Sequence, residues 1–544
     1  MATRWPNHAP PPPLPCPRVP ANVRASPAMT FFPRASCVLG ATVLFLCSLP
    51  GFAAAPATPP PPLPAARTAA ELVARLEAHV MQPRFAGSLW GVRIDSLETG
   101  RTLFAHHADR LMSPASNSKL YTGALALDAF GPDHRIVTPL LARTKPDAAG
   151  TLAGDLIVSG RGDPSWKSVR RREDFREIFA PFVAALRTAG VKRITGDIVA
   201  DTTWFHAAPN GAGWTADDLN DDYGAEISAV SLEDNYADLR LAPAATAGAP
   251  CIVTLLQPET GLVLDNRLVT VAAGAERQVV VRRFYDDHVV RIFGQLPVGA
   301  KEEFSEITVP RPAAWFARAL KAALVRAGIA VNGGTRGVRW PDAPAAPADA
   351  FKLGEITSPP MRALVAGFMK PSQNLETDLI FAYLGETRRT AATPAWRDSE
   401  TLALGALREF LRKHALPADD VRFEEGSGLS RNNLTTANAT VGLLRAMAIH
   451  PAAQDFIDSL PVAGVDGSLK RRMADTAAAR NVRAKTGTLR YANSLSGYVT
   501  TAAGERLAFS FMLNRNAGQP ANRRVTLELD DMAVWLAGLA ARSE

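Results

Sequence analysis

Apolar and polar positions along this chain follow two rhythms, one helical and one strand-like, and the rhythm changes with position. Between Leu120 and Phe130 apolar residues run almost unbroken and stop at Gly131-Pro132, which predicts a helix with a defined end. Met361 to Met369 and Leu375 to Leu384 read as two further helices, and Thr68 to Val80 as one that opens the body of the chain. From Val525 to Leu539, the apolar Leu527, Leu529, Met532, Trp535, Leu536 and Leu539 are set against Glu528, Asp530 and Asp531. That pattern predicts a helix packed on the terminal sheet with its acids on the other side. Strands are expected at Leu495 to Thr500 and Arg506 to Leu513, which flank Ala503-Gly504, with Val482-Arg483-Ala484 leading into a neighbour. Further short β-branched segments bounded by Gly, Pro or Asp are Leu152 to Val158, Arg193 to Ala200, Val279 to Phe284, Val289 to Phe293 and Glu306 to Val309. One helix is expected among them, near Glu173 to Ala189.

The N-terminal pattern is of another kind. Val38 to Leu49 is a short apolar core preceded by Arg34, and Ala55-Pro56-Ala57 offers small residues for cleavage before Thr58. This predicts a secretory signal peptide, too short to span a bilayer, with Met29 as a plausible start. Leu44-Phe45-Leu46-Cys47 lacks the small residue a lipoprotein site needs, so no lipid anchor is expected. The mature chain should therefore be secreted, with no transmembrane segment. The first 57 residues hold four arginines and no acid, so their removal takes the formal charge from +7 to +3. That is too little to argue for nucleic acid. Three of four cysteines leave with the segment, and Cys251 should be a buried small residue. The nine histidines show no zinc spacing, and His106-His107 are expected to point apart, so neither a metal nor a cofactor is expected.

The candidate chemistry lies in two motifs. Ser116-Asn117-Ser118-Lys119 precedes the apolar helix, which puts Ser116 in its first turn and Lys119 one turn on, with its amine within reach of the hydroxyl. An amine acts as a base only when neutral, so burial and a second positive charge, supplied by Lys485, are expected to depress its pKa. Lys485-Thr486-Gly487-Thr488 sits on a predicted strand, where Lys485, Thr486 and Thr488 with a side-chain-free Gly487 make a surface for an added strand ending in a carboxylate. Two Ser-x-Asn triplets, Ser372-Gln373-Asn374 and Ser430-Arg431-Asn432, are both candidates for a third element.

Taken together, these motifs resemble the serine D-alanyl-D-alanine carboxypeptidases and endopeptidases of the penicillin-binding protein 4 type. Gly160-Arg161-Gly162-Asp163-Pro164, Lys370-Pro371-Ser372-Gln373-Asn374-Leu375, Gly426-Ser427-Gly428-Leu429-Ser430-Arg431 and Leu460-Pro461-Val462-Ala463-Gly464 with Asp466-Gly467 fall in the family's order. The resemblance implies an α+β fold: a serine β-lactamase/transpeptidase-like catalytic domain, with an antiparallel sheet and an all-helical layer, interrupted by a large mostly β insert. It divides the chain into 1–57, extension and signal peptide; 58–66, a proline-rich linker; 67–140 and 353–544, the catalytic domain; and 141–352, two small β-rich domains. It places the third element at Ser372 and Asn374, with Gln373 where the family has Asp, and gives Arg431 to substrate binding. Arg161-Gly162-Asp163 then belongs to a structural turn, and Tyr491-Ala492-Asn493 follows Lys-Thr-Gly in the wrong order for a β-lactamase motif.

The implied reaction is acyl transfer at Ser116, with Lys119 as base and the Ser116 and Thr488 amides as oxyanion donors. Ser372, linked to Lys119 and Lys485, would pass a proton to the leaving amine, and Asn374 would hold the acyl side chain. Peptidoglycan stem peptides would be substrates in the periplasm, and β-lactams covalent inhibitors. In relatives an acid on an insert loop meets the side-chain amine of the diamino acid. The loop Phe205 to Trp214 has none, with Asp217-Asp218 a little later, so strong recognition of that amine is not expected. The alternatives are a serine β-lactamase and a silent wall-binding scaffold.

Overall fold

The computed structural model describes residues 65–168, 175–285, 287–516 and 524–543. The expected signal segment, Pro59 to Pro64 and Glu173 lie outside the described residues. The α-helices are α1 (Ala69–Val80), α2 (Ser118–Phe130), α3 (Ala180–Thr188), α4 (Pro312–Arg326), α5 (Met361–Met369), α6 (Asn374–Glu386), α7 (Ser399–Lys413), α8 (Ala437–Ala448), α9 (Ala453–Ser459) and α10 (Thr526–Ala537).

A five-stranded antiparallel sheet carries the strands in the order Arg483–Leu489, Ala492–Thr500, Arg506–Asn514, Leu89–Ser96, Thr102–His106. Its middle strands are buried on both faces, because α1 and α10 cover one side and the helical layer of α2 and α8 the other. Phe509 and Phe511 are fully buried there, and each such side chain contributes roughly 1.5–3 kcal/mol. Arg483–Leu489 is an edge strand, so one side of its backbone faces the cleft.

The terminal segment buries Leu529, Met532, Leu536 and Leu539 of its expected apolar stripe, and departs from expectation at Leu527 and at two of its acids. Leu527 is 41% exposed, whereas Glu528 is fully buried and Asp530 nearly so. Arg84 donates to both oxygens of Glu528 at 2.7 and 2.8 Å, and Arg472 donates to Asp530 at 2.6 Å. Paired carboxylates tolerate burial, so these two acids pack inward beside the apolar stripe.

The region expected to be an insert leaves and returns through an antiparallel pair, Val137–Ala142 and Phe351–Thr357, so the expected boundaries at 140/141 and 352/353 fall inside these strands. They join a mixed sheet in the order Thr335–Val338, Ile198–Asp201, Leu156–Ser159, Val137–Ala142, Phe351–Thr357. The predicted strands at 152–158 and 193–200 are each split into two, because the chain turns at Gly154, with φ +94°, and at Gly196 beside it. The α4 helix was not expected; Trp315, Phe316 and Leu320 bury its inner face in the insert core. Three three-stranded sheets complete the region. The insert docks on the helical layer where Phe205, Ile227 and Ala229 meet Leu375, Leu379 and Ala382 of α6.

Candidate active site

Two helices buried on nearly every side aim their N-termini at one cleft. Residues Ser118 to Leu127 of α2 and all of α6 are buried. Ser116 lies in the 3-10 turn Ala115–Asn117 that feeds α2, rather than in the helix itself, and Ala115 adopts a left-handed φ of 48°. That turn is pinned to the sheet: Ser494 Oγ donates to the Pro114 carbonyl at 2.6 Å, and Asn117 Nδ2 donates to Ser496 Oγ at 2.6 Å. Gly487 completes the fit, since a Cβ there would lie 2.5 Å from the Pro114 oxygen and 3.1 Å from the Ser116 nitrogen. The cleft, about 580 Å³, is lined by Ser116, Ser372, Asn374, Arg431, Thr486 and Thr488 among others.

Lys119 is fully buried. Its Nζ lies 2.6 Å from Asn374 Oδ1, 2.6 Å from the Ser427 carbonyl and 3.0 Å from Ser116 Oγ. The two short contacts go to groups that only accept, so they take two N–H bonds. The third direction, toward a hydroxyl that can donate, is where a neutral amine carries its lone pair. Burial lowers the Lys119 pKa to about 8, against the opposing pull of Asp378 and Glu425. Burial thus does what the sequence assigned partly to Lys485. Lys485 is itself buried, and burial, then Lys119 and Arg472, push its ammonium well below the usual range.

Lys485 Nζ donates to Ser372 Oγ at 2.7 Å and to the Thr486 carbonyl at 2.9 Å. Ser372 has a left-handed φ of 72° between α5 and α6, and the cap of α6 is the Gln373 side chain, which accepts from the Leu375 amide. Among the described residues Ser372 bonds Lys485 but not Lys119; Asn374 takes that place. Thr486 Oγ1 meets Ser468 Oγ at 2.7 Å, and Thr488 is exposed at the rim.

The insert reaches this cleft. Asp217, Asp218 and Tyr223 line it, so acids do stand at the mouth despite their absence from residues 205–214. Arg431 lines it too, but its guanidinium is bound to Asp218 at 2.7 and 3.1 Å, and Asn374 Nδ2 donates to the Tyr223 carbonyl at 3.0 Å.

Comparison with known proteins fits this geometry. The model of the D-Ala-D-Ala carboxypeptidase 3 (S13) family matches residues 72–537. The chain belongs to the S13 family. The D-alanyl-D-alanine carboxypeptidase of Actinomadura sp. (strain R39) is 35% identical over 483 residues, covering 86% of this chain and 85% of that protein. D-alanyl-D-alanine carboxypeptidase DacB of Haemophilus influenzae is 27% identical over 439 residues, covering 79% and 86%. In structure, penicillin binding protein 4 from Haemophilus influenzae superposes with a TM-score of 0.70 at 24% identity, covering 85% of this chain and 97% of that one. This S13 member is thus a serine peptidase, a hydrolase, with the expected α+β fold.

Several residues that shape this S13 site were missed from sequence. Asn117, Ser494 and Ser496 act across the sheet, and the signal that could have found them is a polar run, Asn493-Ser494-Leu495-Ser496, in a strand with no exposed face. Glu425, Ser427 and Asp378 form the floor under Lys119; Ser427 stands in the quoted Gly426–Arg431 motif, whereas Glu425 and Asp378 carry no motif spacing of their own.

The histidines need one correction. His106 and His107 bring their rings to 4.1 Å, because His107 takes a left-handed φ of 44° that turns its side chain back. Elsewhere in this S13 chain, Asp128, His414 and His450 place ligand-type atoms within 4.8 Å. His450 Nδ1 accepts the Ala452 N–H at 3.1 Å, which leaves its hydrogen on Nε2, aimed at Asp128. Lys413 donates to the same carboxylate at 2.7 Å, so the cluster suits a cation-capped Asp128 better than a metal. No described helix is long and apolar enough to cross a membrane.

Proposed function

We propose that this S13 enzyme is a secreted, periplasmic DD-carboxypeptidase and DD-endopeptidase of peptidoglycan that works through an acyl-serine intermediate and is blocked covalently by β-lactams. The carrying observation is the Ser116–Lys119 pair at 3.0 Å, with the other two contacts of Nζ made to obligate acceptors.

In this reading Lys119 takes the Ser116 proton as Oγ attacks the carbonyl of a D-alanyl bond. The oxyanion forms beside the Ser116 and Thr488 amides, where the edge strand packs on the serine turn. Collapse breaks the C–N bond, and Lys119 gives the proton it took from Ser116 to the leaving amine past Ser372, whose hydroxyl is held by Lys485, so that Lys119 is neutral again. Asn374 holds the acyl side chain, and Arg431 helps hold the substrate's carboxylate. Water, deprotonated by Lys119, attacks the ester, and Ser116 recovers its proton as it leaves. A β-lactam keeps its amine tethered in the cleft, so the second step stalls.

Specificity beyond the D-alanine lies at the mouth. Asp217 and Arg490 both line the cleft and are exposed, and Arg490 forms no ion pair among the described residues. The two offer opposite charges to the amine and carboxylate of a diamino-acid cross-link, which supports endopeptidase action more strongly than residues 205–214 alone.

The test is intact mass of the mature protein after penicillin, beside Ser116→Ala. One adduct that is lost in the variant supports the reading. No adduct with penicillin hydrolysed favours a β-lactamase, and no adduct with penicillin intact favours a silent scaffold.

A further inference from the structure

The floor beneath Lys119 holds two buried carboxyls that the steps above leave unused, and their surroundings are opposite. Glu425 is fully buried and meets only donors: the amides of Ser427 at 3.1 Å, Gly428 at 2.8 Å and Ser430 at 3.4 Å, Asn433 Nδ2 at 2.7 Å and the Ser427 hydroxyl. Donors on every side are the surroundings of a carboxylate anion. Asp378 is 3% exposed and lies one turn after Asn374 on α6. Its Oδ1 accepts one long bond, from the Gly426 amide at 3.2 Å, its Oδ2 is buried and makes no bond of good geometry, and the one side-chain donor near the carboxyl is the Ser427 hydroxyl, which donates to Glu425. An anion there is poorly solvated, whereas the neutral acid leaves no charge uncompensated.

We propose that Asp378 is a positioning residue for the charge of the base: it is held as the neutral acid, which leaves Glu425 as the single buried counter-charge to the ammonium that Lys119 becomes on taking the Ser116 proton. This rests on the acyl-serine reading of the site. With both carboxyls ionised, two buried negative charges would hold more of Lys119 as the ammonium and leave less lone pair for Ser116. With neither ionised, the ammonium formed in the reaction would be buried without an opposite charge. The geometry couples the parts: the Ser427 carbonyl accepts from Lys119, and the Ser427 hydroxyl donates to Glu425.

The charged groups facing Asp378 are Glu425, Lys119 from α2 and Glu400 from α7. Burial, then Glu425, push the Asp378 carboxyl well above the usual range against the pull of Lys119, and burial, then Glu425 and Asp398, push Glu400 up to about 8.

The experiment uses the mature enzyme labelled with carbon-13 at its aspartate side-chain carboxyls. The expected result is one carboxyl resonance still at the neutral-acid position at about pH 7.5, absent from Asp378→Asn; burial moves Asp163 only to about 6. Full ionisation of every aspartate at that pH overturns the proposal, and the wild-type spectrum decides this even if the variant misfolds. The second readout is the pH profile of acylation by a chromogenic cephalosporin. Asp378→Asn should keep the acid limb within about 0.3 unit of wild type, while Glu425→Gln should lower it by about one unit or more. An equal drop in both variants would mean that Asp378 is ionised at rest. Failure of the acyl-serine reading looks different: wild type then forms no adduct, whatever the state of Asp378.

Discussion

Arg431 and Asp218 form a bidentate pair at 2.7 and 3.1 Å that ties the loop after Ser427 to the insert across the mouth of the cleft. Asp218 is 2% exposed, and its other donors are the Thr215 amide and hydroxyl, each at 2.8 Å. Truncating the arginine strands a buried carboxylate with half of its donors.

Arg431→Ala should therefore lower stability by about 1–2 kcal/mol, the figure discounted because the guanidinium is 39% exposed. Asp218→Asn in the same chain should restore part of it. Burial alone would raise the Asp218 carboxyl, but the Arg431 and Thr215 bonds outweigh it and hold the carboxyl below the usual range. A carboxyl depressed in the fold stabilises above its unfolded value and loses that contribution as pH falls through the native one. The Tm gap between wild type and Arg431→Ala should be flat near neutrality and close below about pH 4. A gap unchanged at lower pH would remove the pair as its cause.

The Lys119 amine sets a second expectation. The base must be neutral to accept the Ser116 proton, and burial places its pKa at about 8. The rate of acylation by penicillin should rise about tenfold per pH unit below that value and level off above it. Lys119→Ala should lose about 10²–10⁴-fold at the plateau while the fold, followed by thermal unfolding, survives. A profile flat from pH 5 to 9 would exclude Lys119 as the base whose titration limits the step.

Legibility followed distance along the chain. Ser116 with Lys119, and Lys485 with Thr486, were readable because each pair works within one helical turn or one strand, where spacing alone fixes geometry. Asn374 was readable because it starts a helix beside Ser372. Asp218, Tyr223 and Glu425 were not, since each reaches the cleft from a different part of the fold and no local pattern marks them. The α10 helix shows a second failure. Its periodicity and most of its apolar stripe were visible, but the burial of two acids was not, because Arg84 and Arg472 come from distant segments to meet Glu528 and Asp530.

Gly428 gives a backbone test of the same floor. Its φ is +85°, and a Cβ there would lie 2.0 Å from the Ala115 carbonyl oxygen and 2.9 Å from Ser118 Oγ. Gly428→Ala combines a left-handed strain of about 1–2 kcal/mol with a clash against the turn that holds Ser116. Acylation should fall by more than 100-fold, with a lower Tm, whereas the control Gly131→Ala carries φ strain without a clash and should keep acylation near wild type. Equal acylation in both variants would show that the close approach of Gly428 to Ala115 does not position the nucleophile.

Lys485 offers the last expectation, a proton count. Its ammonium is pushed well below the usual range by burial, then by Lys119 and Arg472, while Ser372 Oγ and the Thr486 carbonyl occupy only two of its donor directions. A substrate carboxylate arriving beside Thr486 and Thr488 would supply the missing negative charge and reverse the shift. Binding should then draw up to one proton from solution and weaken as pH rises, because the free enzyme must first be protonated. Calorimetry of a D-alanyl-D-alanine peptide with Ser116→Ala, in buffers of different ionisation enthalpy, measures the uptake directly. The same peptide with its terminal carboxylate amidated should bind without uptake. Equal heats in all buffers would mean that Lys485 is already charged in the empty cleft, and that its role is a standing cation rather than one that forms with the substrate.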